Sequence, residues 1–308
     1  MAGVIYSIEK LSFPQIDSLD RDKTITIMAV SPLEEHGPHL PVGVDMFTAE
    51  FFARHTAELI IEKRPDCDVL MFPTLPLGTQ VYKHIGSFYI KPGTLYDIVY
   101  NTGRSIARYG FVNIFVINTH GPPKQFVTIE SACRKVSRQH KVRMVSLSGG
   151  LAVKFLKGEM YDQISRKLNR QFTDEEKYLL KHDFHAGWWE TAMTQHLYPD
   201  LVDESYKDLK PCLQELMSKK VLAPNNDWPG YYGAPAKADT DFAKASIEVF
   251  TEHVTGLILR SIDGEDIADE LTSPFYKYPF FRPFFKRNLM IGLAVVVFVV
   301  LVVLVLRA

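Results

Sequence analysis

The run Glu34-Glu35-His36-Gly37-Pro38-His39-Leu40-Pro41-Val42-Gly43-Val44-Asp45 concentrates chemistry: five of its twelve residues carry a carboxylate or an imidazole. In an extended stretch, residues two apart face the same way, so Glu34 and His36 can converge. The turn formers Gly37, Pro41 and Gly43 can bring Asp45 back beside them. Two further clusters follow, Thr119-His120-Gly121 and Asp183-Phe184-His185-Ala186-Gly187-Trp188-Trp189-Glu190-Thr191. Such a donor set suits a hard or borderline divalent cation, zinc or manganese. Two such ions sharing one carboxylate would activate water and polarise a carbonyl oxygen, making an amide hydrolysable without a side-chain nucleophile. Taken singly, His120 also reads as a hydrogen-bonded structural histidine, and the acidic loop as a solvated turn. The co-occurrence of the three clusters favours a site.

These clusters must be positioned by strands that end side by side. Residues 24–30, 68–72, 111–118 and 142–148 read as buried strands. Between them, residues 46–63, 95–109 and 124–139 have helical spacing, with Asp45 and Pro122 or Pro123 at or beside helix starts, and residues 240–262 read as a final helix. The alternation predicts an α/β domain, a mostly parallel sheet with helices on both faces. In such sheets, sites form beyond the carboxyl ends of the strands. The first cluster follows the first of these strands and His120 ends the third, so parallel strands put both on one edge.

The 308 residues, 46% hydrophobic and 23% charged, suffice for a sizeable core and argue against disorder. A net charge of -1 offers no electrostatic hold on nucleic acid. Cys67, Cys133 and Cys212 are too few and too scattered for a disulfide framework and suit reduced thiols in a cytosol-facing protein. Every residue from Leu289 to Leu306 is apolar or Gly, enough for a helix rising ~1.5 Å per residue to cross a hydrocarbon core of about 30 Å. Before this run, Lys277, Arg282, Lys286 and Arg287 alternate with Tyr276, Tyr278, Phe280, Phe281, Phe284 and Phe285, the composition of an interfacial anchor. Residues 1–23 lack the apolar core of a signal peptide. The expectation is a tail-anchored, single-pass membrane protein with its catalytic domain on the cytoplasmic side. It divides into a domain over 1–265, an aromatic and basic linker over 266–287, and a transmembrane helix over 288–306.

With these words in this order, the chain resembles the creatininase (creatinine amidohydrolase) family of metal-dependent hydrolases. The resemblance rests on Glu34 to Pro41 with Asp45, on Asn118-Thr119-His120-Gly121, and on His185-Ala186-Gly187 followed by Glu190-Thr191. Pro92-Gly93-Thr94 and residues 233–238 add to it, so it spans roughly residues 5 to 260. It implies a three-layer α/β/α domain and two divalent ions, zinc and/or manganese. One ion would be held by Glu34, Asp45 and His120, the other by His36, Asp45 and Glu190, with Asp45 bridging. It further implies proton transfer by His185, a small-molecule amide substrate (cyclic amide, formamide or peptide-like) and a homo-oligomer, often a hexamer. Glu35 and His39 receive no role. Pro122 and Pro123 stand where family members commonly have Gly-Asn or a carboxylate ligand, and neither proline can supply a ligand side chain. A catalytically inactive, membrane-anchored binding or scaffold protein is the competing expectation.

Overall fold

The computed structural model describes residues 3–307 except 217 and 226. Its strands are β1 (Ile5–Ser7), β2 (Thr24–Ala29), β3 (Asp68–Met71), β4 (Asn113–Ile117) and β5 (Arg143–Ser146). They form a sheet in the order β1-β3-β2-β4-β5, with every pairing parallel. The central strands β2 and β4 are buried along their whole length, which explains their unbroken apolar and β-branched character.

The helices, in chain order, are α1 (Phe13–Asp17), α2 (Val44–Lys63), α3 (Pro92–Arg108), α4 (Pro123–His140), α5 (Gly149–Leu156) and α6 (Tyr161–Leu168). There follow α7 (Asp174–Lys181), α8 (Trp188–Leu197), α9 (Lys219–Leu222), α10 (Thr240–Ile262), α11 (Ala268–Leu271) and α12 (Phe285–Arg307). Side chains of β2 alternate between two cores. Ile25, Ile27 and Ala29 pack with Ala49 and Ala53 of α2, Ala192 of α8 and Phe250 of α10. Met28 and Val30 pack with Leu95 and Val99 of α3 and Ile129 and Val136 of α4. At roughly 1.5–3 kcal/mol for each fully buried large aliphatic or aromatic side chain, these two faces hold the three layers together.

The sequence-predicted strands and the four predicted helices are all present; the first three helices start one to three residues earlier than the periodicity implies, and α10 starts where expected. The edge strand β1, three residues long, and the helices α1, α5 to α9 and α11 are additions. Residues 274–281 form two short 3-10 turns held against α4, where the Arg134 guanidinium lies 4.5 Å from the centre of the Tyr276 ring. Residues Phe285–Val305 of α12 are long and apolar enough to cross a membrane and are not buried by the rest of the chain.

The order of the strands creates a crevice. From β2 the chain turns into α2 on one face and proceeds to β3, whereas from its neighbour β4 it turns into α4 on the other face and proceeds to β5. The two loops diverge above the carboxyl ends of β2 and β4, leaving the space in which open α/β sheets bind ligands.

Candidate metal centre

Each chemical cluster reaches that crevice by a different element. Glu34 and His36 lie on the loop after β2, and Asp45 lies in the first turn of α2. His120 ends the turn between β4 and α4, and Glu190 lies in the first turn of α8. Asp45 and Glu190 therefore stand at helix N-termini, where the macrodipole favours a carboxylate. Pro122 and Pro123 are the entrance to α4: Pro123 is its first residue, where no amide hydrogen is needed.

The donor atoms converge. His120 Nδ1 lies 3.1 Å from Asp45 Oδ2 and 3.2 Å from Glu34 Oε2. His36 Nε2 lies 3.5 Å from Glu190 Oε2 and 3.9 Å from Asp45 Oδ2. Asp45 Oδ2 thus faces both imidazoles. Two compact groups result, Glu34 with Asp45 and His120, and His36 with His185 and Glu190. His185, expected to move protons, is itself a member of the second group, in the place the expectation gave to Asp45.

Backbone carbonyls decide which ring nitrogens face inward. His36 Nδ1 donates to the Glu34 carbonyl at 3.0 Å, and His120 Nε2 donates to the Thr79 carbonyl at 3.2 Å. A carbonyl can only accept, so His36 Nε2 and His120 Nδ1 carry the lone pairs. Glu34 Oε2, His36 Nε2 and Asp45 Oδ2 are buried without any hydrogen-bond partner. Orphaned acceptors in a buried site are costly, and a coordinated cation satisfies all of them at once.

The electrostatics of the bare pocket call for positive charge. Burial alone would lower the His36 pKa, but the charges of Glu190, Asp45 and Glu34 push it up to about 10. Burial alone would raise that of Glu190, yet His36 and the Ala186 N–H draw it down to about 2. Burial raises the Glu34 carboxyl, outweighing the attraction of His120.

The residues without a role find one here. Glu35 has both carboxylate oxygens engaged: its Oε1 accepts from His185 Nε2 at 3.1 Å and its Oε2 from the Gly37 N–H at 3.0 Å. His39 lies behind the site with Nε2 against Thr191 Oγ1 at 2.9 Å, and burial followed by the His36 charge lowers its pKa to about 4. Thr79 and Tyr82 receive no role from the sequence. The Tyr82 N–H donates to Glu34 Oε1, and its ring lies over that of His185 at 4.7 Å between centroids. They belong to a loop without hydrophobic periodicity, so no pattern in the sequence marks them. Asn118 fixes its own loop by donating to the His120 carbonyl, and Thr119 ties the two loops together by donating to the Asp45 carbonyl.

The turn into α8 explains its glycines. Asp183 accepts from the Trp188 and Trp189 N–H groups and fixes the start of that helix. A Cβ on Gly187 or Gly233 would run into Asp183 Oδ1, and Gly233 also has φ +140°. Ala186, at φ 47°, is held in a left-handed conformation that costs about 1–3 kcal/mol. It keeps that geometry by donating its N–H to Glu190 Oε2, while His185 on its other side pairs with Tyr232 through both backbone groups.

The creatininase family, described as creatinine amidohydrolase, matches residues 9–258. A creatinine amidohydrolase from Pseudomonas putida is 26% identical over 188 residues, a match spanning 58% of this chain and 66% of that relative. Among solved structures, one named Creatininase Mn is 20% identical with a TM-score of 0.63, covering 83% of this chain and 98% of the other. A creatininase variant described as Zn-Zn type is 19% identical with a TM-score of 0.61 over the same shares. A structure of a putative creatinine amidohydrolase from Bacteroides fragilis is 18% identical with a TM-score of 0.61, covering 85% of this chain and 97% of that one. At these identities the solved structures speak for the fold. The family match extends from before β2 to within α10 and takes in every residue of both ligand groups, so the chain belongs to the creatininase family.

Proposed function

We propose that the chain is a binuclear metal-dependent amidohydrolase that uses water to cleave the C–N bond of a cyclic amide, formamide or peptide-like substrate, tethered to a membrane by α12. The observation that carries this reading is the convergence of three buried, unpartnered acceptors, Glu34 Oε2, His36 Nε2 and Asp45 Oδ2, on the two groups completed by His120 and Glu190. Glu34, Asp45 and His120 would hold one ion and His36, Asp45 and Glu190 the other. Two divalent ions held there, zinc or manganese, would supply a water of lowered pKa and a Lewis acid for the amide carbonyl. His185 would move the proton. Glu35 accepts from its Nε2–H, which leaves Nδ1 to take a proton from the attacking water and return it to the departing nitrogen. Tyr82 packs on the His185 ring and restricts water around it. The domain would face the cytoplasm, and the assembly would be a homo-oligomer, a hexamer by family likeness, with all tails leaving one face.

Metal content by elemental analysis, together with hydrolysis of a panel of amides, tests the reading. About two ions per chain and measurable turnover are expected in the wild type, with both lost in Asp45→Ala. Unchanged metal and activity in that variant would refute the mechanism. Tight metal binding without hydrolysis of any amide would instead make the chain a membrane-anchored binding protein.

A further inference from the structure

The cavity at the ligand groups is much larger than a small cyclic amide needs. It encloses about 990 Å³, at the top of the roughly 300–1,000 Å³ range of pockets that take drug-sized ligands. Glu34, His120, His185 and Glu190 line one part of it. Another part lies between the sheet and the layer formed by α2, α5 and α10, walled by Phe52, Leu147, Leu151, Phe155, Phe250 and Val254. Among the described residues of that arm, only Thr56 Oγ1 and Trp189 Nε1 are buried polar atoms without a partner.

The rim of the cavity combines aromatic and basic side chains. Tyr82, Lys83, His84 and Tyr89 line it, and on the same segment Ile85 is 89%, Phe88 59% and Tyr89 56% exposed. Large apolar side chains this exposed, flanked by Lys83 and Lys91, have the composition of a surface that dips into lipid headgroups. The anchor leaves the domain from the same edge. Phe284 packs on the first turn of α3, where a Cβ on Gly93 would come within 2.9 Å of its ring, and meets Tyr96 edge-on at 5.0 Å. Lys124 in the first turn of α4 has its pKa lowered by burial and then by the neighbouring Lys286 charge. Those first turns lie at the carboxyl ends of the strands, as does the metal centre. Phe275, from the segment leading to α12, lines the cavity itself.

We propose that the apolar arm takes the hydrocarbon chain of a membrane-derived fatty acyl amide, which passes from the bilayer over residues 82–91 and presents its amide to the ligand groups. This deepens, and rests on, the reading of those groups as an amidohydrolase centre. The reaction needs only water: its oxygen joins the acyl carbon, the C–N bond breaks, and the nitrogen leaves with a proton as the amine, giving the fatty acid.

The full-length, metal-loaded protein in detergent micelles is assayed with the 4-nitroanilides of butanoic and dodecanoic acid. Quenching of tryptophan fluorescence by a bromododecanamide reports occupancy independently of turnover, because Trp189 and Trp228 line the cavity. Burying a methylene is worth roughly a three- to fourfold gain in affinity, so the dodecanoyl substrate should exceed the butanoyl one in kcat/KM by more than about 100-fold. Leu151→Phe and Ala152→Phe narrow the arm, and each should lower that ratio at least about tenfold and weaken the quenching. Two variants are used so that one failing to unfold cooperatively can be set aside. Equal hydrolysis of both anilides without quenching would overturn this inference and leave the amidohydrolase reading standing. Hydrolysis of neither anilide by metal-loaded protein that still shows quenching would overturn the amidohydrolase reading and the substrate assignment with it, leaving an apolar binding cavity.

Discussion

What each carboxylate oxygen already bonds separates the roles of two neighbouring acids. Glu34 gives one oxygen to the Tyr82 N–H and keeps the other bare, whereas both oxygens of Glu35 are taken, by His185 and by Gly37. Adjacent residues on an extended segment point opposite ways, so Glu34 faces the ligand groups and Glu35 the histidine beside them. Glu35→Gln leaves a single neutral acceptor for the two donors, His185 Nε2 and the Gly37 N–H, and loosens the His185 ring. Partners of this kind are typically worth about 10–100-fold in activity. The expected result is a kcat lowered by that amount with KM and metal content preserved, read by steady-state kinetics and elemental analysis. Loss of metal in Glu35→Gln would show instead that Glu35 belongs to the ligand set.

Among the elements, the strands and the long helices were legible because burial on both faces or on one stripe leaves a periodic apolar record. The word from Glu34 to Asp45 was legible for a related reason, since ligands on a short loop after a strand must be close in sequence. The edge strand β1 is too short to leave such a record. The helix α7 has a signal that could have located it, the capping box in which Thr173 and Glu176 satisfy each other's backbone amides. Thr79, Tyr82 and Trp228 come to the site from loops whose shape is set by contacts distant in sequence, and no local pattern encodes those. The packing of the 274–281 turns on α4 is equally tertiary in origin, and it carries a buried acid. Glu130 of α4 accepts from the Ser273 N–H at 2.8 Å, its other oxygen is unpartnered, and burial pushes its pKa from the ordinary 4.5 to about 7. The folded chain therefore keeps this proton up to about pH 7, whereas the unfolded chain releases it near 4.5. Stability from this group is present below pH 4.5 and is lost as pH rises through that window. Glu130→Gln removes the penalty, so denaturant titrations should find it more stable than wild type at pH 8, by up to about 3 kcal/mol, and nearly equal at pH 4.5. A difference independent of pH would mean that Glu130 is ionised in the folded protein at both values.

For the whole molecule, the proposed anchor fixes how the edge carrying the ligand groups would stand relative to a membrane. The helix α12 follows its last domain contacts, Phe284 on Gly93 and Tyr96, without a flexible spacer, so the sheet edge carrying the ligand groups is held within a few residues of the apolar span. Lys277, Arg282, Lys286 and Arg287 immediately precede the span. Basic residues flanking a span are retained on the cytoplasmic side, so this cluster favours keeping the domain there. Burial of the span in hydrocarbon should make attachment persistent, unlike the reversible hold of a single lipid chain. Full-length chain in cells should therefore sediment with membranes and resist alkaline carbonate, whereas a chain ending at Phe284 should be soluble and retain its metal. Protease added to sealed vesicles with the cytoplasmic face outward should digest the domain without detergent. If carbonate releases the full-length chain, α12 does not span, and its exposed apolar surface must be covered by protein. If carbonate does not release it but the domain is protected from protease, the span is real and the basic cluster has been read in the wrong direction.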